Sequence, residues 1–221
     1  MVKSRSSVEK KKKSVLRRVI DFFVRSENRA YLVGGYVRDS TLGCESVDID
    51  AVVEGDGVAA ARELNKKLKG VIVSHPEFGT ASISVDGCRV DLASARTERY
   101  PSPAQLPRVY PSTIVEDLNR RDFTINAIAM SVSKDNFGEI LDPFDGLSDI
   151  KRKIIRILHR NSFVDDPTRI FRALRYKNRF GFKLEEDTER MLREALDAGM
   201  IVKLSGQRIL NELRLIFAED N

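Results

Sequence analysis

Cysteine is scarce in this sequence: Cys44 and Cys88 are the only two among 221 residues. Two lone cysteines exclude a disulfide-stapled scaffold and every cysteine-based zinc site. Histidine is as rare, and His75 and His159 stand alone, without metal-ligand spacing or a catalytic partner nearby. Apolar runs are only a few residues long, far short of the roughly 20 needed to span a bilayer. The Lys-rich N-terminus is followed by no apolar core segment, so it does not read as a secretory signal. There is no internal repeat, and the one low-complexity tract is Lys10–Lys13. Together these absences predict a reducing, cytoplasmic location.

What is present is ordinary globular material, 42% hydrophobic and 32% charged, enough for one large domain or two small ones. The net charge of +5 averages unlike parts. Residues 1–30 carry ten Lys/Arg against three acids, a net of +7, and residues 151–183 carry eleven against Asp165 and Asp166, a net of +9. Everything else therefore sums to −11, given the total of +5. Two basic segments bracketing an acidic middle suit a polyanionic partner held near a carboxylate site.

The periodicities give the organisation. A basic, irregular tail is expected over 1–13, then a helix over Ser14–Arg25. Short strands are expected at Arg29–Val33, Val47–Val53, Val71–Ser74, Thr80–Val85 and Cys88–Ala93, the last two joined by an Asp86-Gly87 hairpin turn. Helices are expected from about Tyr36 to Gly43 and from Val58 to Lys69. Residues 94–115 hold four of the seven prolines and little periodicity, and so read as a long loop of the mobile or functional kind. Beyond Leu147 the pattern is helical apart from Ile154–Ile157, with helices over Asp166–Phe180, Glu185–Ala198 and Ser205–Phe217 punctuated by glycines. The expected fold is α/β (α+β): a mixed or antiparallel sheet with helices over 14–150, then a small all-α domain over 151–221.

The sharpest local feature is Asp48-Ile49-Asp50. On a strand, residues i and i+2 share a face, so the two carboxylates converge while Ile49 points to the core. Close like charges repel and raise each other's pKa unless a cation sits between them. Mg²⁺ is the natural cation, being held typically by one or two carboxylates plus substrate phosphates. Upstream, Gly34-Gly35-x-x-Arg38-Asp39 lies between a strand and a helix. Paired glycines let backbone approach a phosphate, a helix start offers free N–H groups, and Arg38 adds a guanidinium fork. On the helix after Pro167, Arg169, Arg172, Arg175 and Arg179 recur at helical spacing, and such stacking of like charge favours a bound anion. Tyr100 and Tyr110, in the Pro-rich segment, are candidates to stack on a base.

Leu32-Val33-Gly34-Gly35-Tyr36-Val37-Arg38-Asp39 followed by Asp48-Ile49-Asp50 resembles the signature of class II tRNA nucleotidyltransferases. That group of the DNA polymerase β superfamily comprises CCA-adding enzymes, CC- and A-adding relatives and bacterial poly(A) polymerases. Arg120-Arg121-Asp122-Phe123-Thr124-Ile125-Asn126-Ala127 resembles the family's ribose-binding motif, Asp142-Pro143-Phe144-Asp145-Gly146 with Asp149 its hinge-like motif, and Asp165-Asp166-Pro167-Thr168-Arg169 its template for the incoming base. Asp165 stands where the family often has Glu.

The resemblance implies a nucleotidyltransferase head (14–150) and a helical neck (151–221) that transfer CMP and/or AMP from CTP or ATP to the 3′ end of tRNA. Gly34, Gly35 and Arg38 would cradle the triphosphate, and Asp48 and Asp50 would hold Mg²⁺. Arg121, Asp122 and Asn126 would meet the sugar, and Asp166 and Arg169 would read the base edge, with Arg172 and Arg175 also contacting the nucleotide. A third catalytic carboxylate is expected, at Asp91 by position, with Asp122 as its rival. The segment 94–115 would be the family's flexible loop. Family members continue into body and tail domains beyond the point corresponding to Asn221, which leads to the expectation of a truncated chain or of RNA binding by the basic segments or a partner.

Overall fold

The computed structural model describes residues 5–44 and 48–219. Its centre is a seven-stranded mixed sheet in the order β3-β4-β5-β2-β1-β8-β9. The strands are β1 (Arg29–Val33), β2 (Ile49–Glu54), β3 (Val71–His75), β4 (Thr80–Val85) and β5 (Cys88–Ser94), with the shorter β8 (Ala129–Ser131) and β9 (Ile140–Leu141) added at the far edge. All neighbours are antiparallel except β2 and β5, which run parallel with Asp50 opposite Asp91. The expected Val47 start of β2 lies outside the described residues. Asp86 and Gly87 both adopt positive φ, at 54° and 79°, which is the hairpin geometry their identities predict.

One face of the sheet is covered by α1 (Arg5–Val24) and α3 (Gly57–Leu68). Val15, Val19 and Phe23 of α1 pack with Leu64 and Leu68 of α3 on Leu32, Ile49, Ala51, Val90 and Leu92. These strand residues alternate with Asp50, Val52 and Asp91, so the carboxylates face the other side. On that side lie α2 (Gly35–Thr41), α4 (Ile114–Asn119) and the following C-terminal unit. The helix expected from Ser14 begins at Arg5 instead, so Lys10–Lys13 lies on helix rather than in an irregular tail.

The Pro-rich stretch is not a plain loop: β6 (Arg96–Arg99) and β7 (Arg108–Pro111) pair as an antiparallel arm. Three of its prolines fall at the tip and Pro111 is the last residue of β7, at the base of the arm opposite Arg96, where no ladder N–H is required. After α5 (Gly146–Arg152), the C-terminal unit is α6 (Ser162–Asp165), α7 (Thr168–Phe180), α8 (Glu186–Asp197) and α9 (Gly206–Phe217). It is not wholly helical, because β10 (Ile154–Ile155) pairs in parallel with β11 (Lys183–Leu184). Two residues per strand are too few to show a period in sequence. Asp142 caps α5 by accepting from the Gly146 and Leu147 amides at 2.7 and 2.8 Å. Asp149 then ties the two units, accepting from Thr124 Oγ1 at 2.7 Å and Arg156 Nε at 3.0 Å. Among the described residues no helix is long and apolar enough to cross a membrane.

Candidate active site

A cavity of about 510 Å³ opens between the sheet and the C-terminal unit. Gly34, Gly35, Arg38, Asp48, Asp50, Arg121, Asp122 and Asn126 line it from the sheet side. Asp166, Arg169 and Arg172 line it from the helical side. Eleven positions that sequence reasoning singled out thus meet on one surface.

The glycine pair closes the end of β1 against this cavity. Gly34 has φ 57°, and a Cβ there would lie 2.8 Å from Arg121 Nη1. A Cβ on Gly35 would lie 3.5 Å from Asp50 Oδ2. Bare backbone is therefore what lets the cavity floor approach both the carboxylate and the guanidinium. The helix that follows, α2, has only seven residues.

Asp50 is pushed up to about 6, first by burial and then by the charges of Asp91 and Asp48, against the opposing pull of Arg121. Asp91 lies on the neighbouring strand, outside the first cavity and on the wall of a second one of about 460 Å³. Asp50, Arg120 and Arg121 line both cavities. The Asp91 carboxylate accepts from Arg89 Nε at 2.8 Å and from the Ser82 hydroxyl. Among the described residues no group of three His, Cys, Asp or Glu side chains closes to metal-holding geometry. Two convergent carboxylates remain, a set that suits a divalent ion completed by phosphate oxygens.

Asp122 is committed elsewhere. It accepts from Arg172 Nε at 2.7 Å, Asn126 Nδ2 at 2.9 Å and the Phe123 amide at 2.9 Å. Burial alone would raise its pKa, but Arg172 and Asn126 override burial and hold it down at about 2. Between the two rivals for the third carboxylate, Asp91 is the one beside Asp50.

Arg38 departs from the fork expected of it. It is 4% exposed, donates from Nε to Asp39 at 2.8 Å and from Nη1 to Asn126 Oδ1, and lies over the rings of Tyr176 and Phe180. These contacts knit α2 and the Thr124–Asn126 turn to α7. Arg121 is held by Asp117 at 3.0 Å and directs the rest of its guanidinium toward Gly34 and Asp50.

On the helical side, Asp166 Oδ1 accepts from Thr168 Oγ1 and Arg208 Nη2, both at 2.6 Å, and from the Thr168 amide at 3.0 Å. Arg169 donates to Ser162 Oγ at 2.6 Å and to the Arg120 carbonyl at 2.8 Å. Both side chains are fixed before any ligand arrives. Arg175 does not reach the cavity: it turns to α9 and meets Glu219 at 3.3 Å. The cavity face of α7 is instead Arg169, Arg172, Tyr176 and Arg179. Sequence reasoning also missed Glu98, Arg120 and Glu212 on the lining. The pKa of Glu212 is raised by burial, with Arg172 and Arg175 pulling the other way. Only the folded path brings Glu98 and Glu212 to the site, whereas Arg120 neighbours Arg121 in the segment that resembles the ribose-binding motif.

Known proteins resemble this chain in sequence and fold. The A-adding tRNA nucleotidyltransferase of Aquifex aeolicus is 46% identical over 192 residues, 87% of this chain and 23% of that protein. A solved CCA-adding enzyme in an apo form superposes with a TM-score of 0.85 at 45% identity, over 95% of this chain and 50% of the other. A tRNA nucleotidyltransferase solved with a primer tRNA and an incoming ATP analog gives 0.80 at 42% identity, covering 91% and 56%. The chain thus spans about half the length of these solved relatives and about a quarter of the Aquifex protein. Residues 30–156 match the poly A polymerase head domain, more than half of the chain, and the chain belongs to that family.

Proposed function

We propose that this chain carries the catalytic head and base-selecting neck of a tRNA nucleotidyltransferase, adding C and/or A to the tRNA 3′ end from CTP or ATP with release of pyrophosphate. The observation that carries this reading is the meeting of Asp48 and Asp50 with Gly34, Gly35, Arg121, Asp166 and Arg169 around one cavity. The partners named for the solved relative, a primer tRNA and an ATP analog, are the two substrates this reading requires.

The roles follow from the chemistry of each group. The triphosphate lies over Gly34 and Gly35 with Arg121 as its cation, and Arg38 positions Asn126 from below. Asn126, braced by Asp122, faces the ribose. Asp166 Oδ2, which has no partner among the described residues, accepts from the exocyclic amine that C carries at C4 and A at C6, where U and G carry a carbonyl oxygen instead. Arg169 donates to the adjacent ring nitrogen or carbonyl, and Arg172 flanks the base. Asp91, held by Arg89 and Ser82 on the wall of the second cavity and paired across the sheet with Asp50, orients the attacking 3′-hydroxyl toward the α-phosphate. Asp48 and Asp50 hold Mg²⁺, which when bound supplies charge neutralisation for the attacking and leaving oxygens. The crowding that raises Asp50 is what a divalent cation at this pair relieves.

A second reading, polyadenylation of RNA 3′ ends, is favoured by the name of the matching domain family. One experiment separates the two. tRNAs ending before CCA, after C and after CC are each supplied with one radiolabelled nucleotide at a time. Incorporation limited to C and A at those ends supports the proposal. A run of A beyond one residue supports polyadenylation instead, and no incorporation from any primer overturns both.

A further inference from the structure

Helix α9 turns two charged side chains inward, Arg208 and Glu212, one helical turn apart on the same face. Glu212 reaches the cavity lining, whereas Arg208 is half-buried and stops short of it. The Arg208 guanidinium is fixed at two points. Its Nη2 donates to Asp166 Oδ1 at 2.6 Å, and its Nη1 donates to the Ala104 carbonyl at 2.8 Å. Ala104 lies between β6 and β7 at the tip of the arm, and its own amide donates to the Asp165 carbonyl at 3.2 Å. A helix, the arm tip and the base-reading turn thus meet at one guanidinium.

The other donors to Asp166 Oδ1 both belong to Thr168, its amide at 3.0 Å and its hydroxyl at 2.6 Å. These contacts are local, two residues along the chain. A carboxylate that turns about its Cβ–Cγ bond can offer such a neighbour either oxygen. Arg208 comes from a separate element 42 residues away, and a short charge-assisted bond from there decides which oxygen is committed. Oδ2 is left as the single acceptor for a base.

The number of free acceptors bears on which base is read. Guanine carries two adjacent donors on its Watson–Crick edge, N1–H and the N2 amine, and these match both oxygens of a free carboxylate as a bidentate pair. Cytosine and adenine instead present one amine beside a ring-nitrogen acceptor. That edge matches one carboxylate oxygen next to an arginine donor, which is what Asp166 Oδ2 and Arg169 provide.

We propose that Arg208 is a positioning residue for base selection, locking Asp166 in a one-acceptor state that reads cytosine and adenine and denies guanine its two-point contact. The inference rests on the nucleotidyltransferase reading, which sets the incoming base against Asp166 and Arg169. Breaking an ion pair that merely holds the fold weakens every nucleotide alike, whereas breaking this lock changes the ratio between them.

The test is equilibrium binding of CTP, ATP and GTP to the whole chain and its variants by calorimetry, with Mg²⁺ present and RNA absent so that nothing is incorporated. In Arg208→Met the preference for CTP and ATP over GTP is expected to fall about tenfold. Arg208→Gln, which loses the charge and one of the two bonds, carries the same expectation where the Met variant fails to fold. Arg208→Lys keeps a cationic donor for Oδ1 and is expected to retain most of the preference. An unchanged preference in the Met or Gln variant overturns the proposal, and so does an equal loss for all three nucleotides. A parent chain with no preference over GTP overturns the base-reading assignment of Asp166 and this proposal with it. A parent preference that survives in the variants overturns the role of Arg208 alone.

Discussion

At the residue scale, the two aspartates of the site pull in opposite directions on stability. The carboxyl of Asp50 is raised to about 6, so the folded state prefers its protonated form. The native state then binds more protons than the unfolded chain between about pH 4 and 6, and stability falls as pH rises through that window. Above it, ionised Asp50 costs on the order of 3 kcal/mol. Asp50→Asn should therefore raise the metal-free melting temperature at pH 7.5 by about 6–12 °C, the gain shrinking toward pH 4. A differential scanning measurement showing no gain, or one that grows in acid, contradicts the assignment. Asp122, held at about 2, behaves conversely: its stabilisation is present above pH 4 and is lost only as pH falls toward 2. Asp122→Asn leaves Arg172 without its main partner and should cost about 2–3 kcal/mol at neutral pH, read from denaturant unfolding.

Residues whose role depends on immediate neighbours in sequence were legible. Asp48 with Asp50, the Gly34-Gly35 pair, and the Asp86-Gly87 hairpin turn all act within a few positions of themselves. Glu98 and Glu212 were not, because each reaches the cavity from a separate element.

At the element scale, most boundaries followed from alternation and glycine punctuation, and the exceptions have physical causes. The arm formed by β6 and β7 was hidden because its prolines mask the alternation while sitting where they cost no hydrogen bond. The phase of α7 was misread for a different reason. A run of arginines at i, i+3 and i+6 spans more than one face, and docking against α9 decides which members turn inward. Arg175 turns away to Glu219, while Arg179, which meets the same Glu219 at 3.6 Å and Asp39 at 3.9 Å, lines the cavity. Exchange of Arg179 for Met should accordingly raise KM for nucleotide several-fold, and Arg175→Met should leave it unchanged while lowering thermal stability. The opposite pattern in steady-state kinetics returns Arg175 to the site. The start of α5 allows a sharper test, because a Cβ on Gly146 would lie 2.2 Å from the Thr124 carbonyl oxygen. Gly146→Ala should cost about 2–3 kcal/mol, whereas alanine at exposed Gly206, where nothing lies within 4 Å, should be near neutral.

At the scale of the whole molecule, the charge arithmetic becomes a spatial arrangement. The described part of the basic N-terminal segment is chiefly helix α1 behind the sheet, the basic C-terminal segment is chiefly α7 with Arg169 and Arg172 on the cavity wall, and the acidic middle supplies the carboxylates between them. The core divides likewise, one cluster beneath α1 and α3 and another joining α2 to the C-terminal unit. The cavity lies at that second junction, so its two walls are each set by a packed body. Loss of activity by removal of a carboxylate should therefore leave the fold intact. The most direct measurement is single-turnover incorporation of radiolabelled nucleotide with Asp48→Asn and Asp50→Asn, alongside their thermal melts. The account predicts a loss of about a thousandfold or more, roughly 4 kcal/mol of barrier, with melting no lower than in the parent chain. Incorporation at the parent rate by either variant would contradict it.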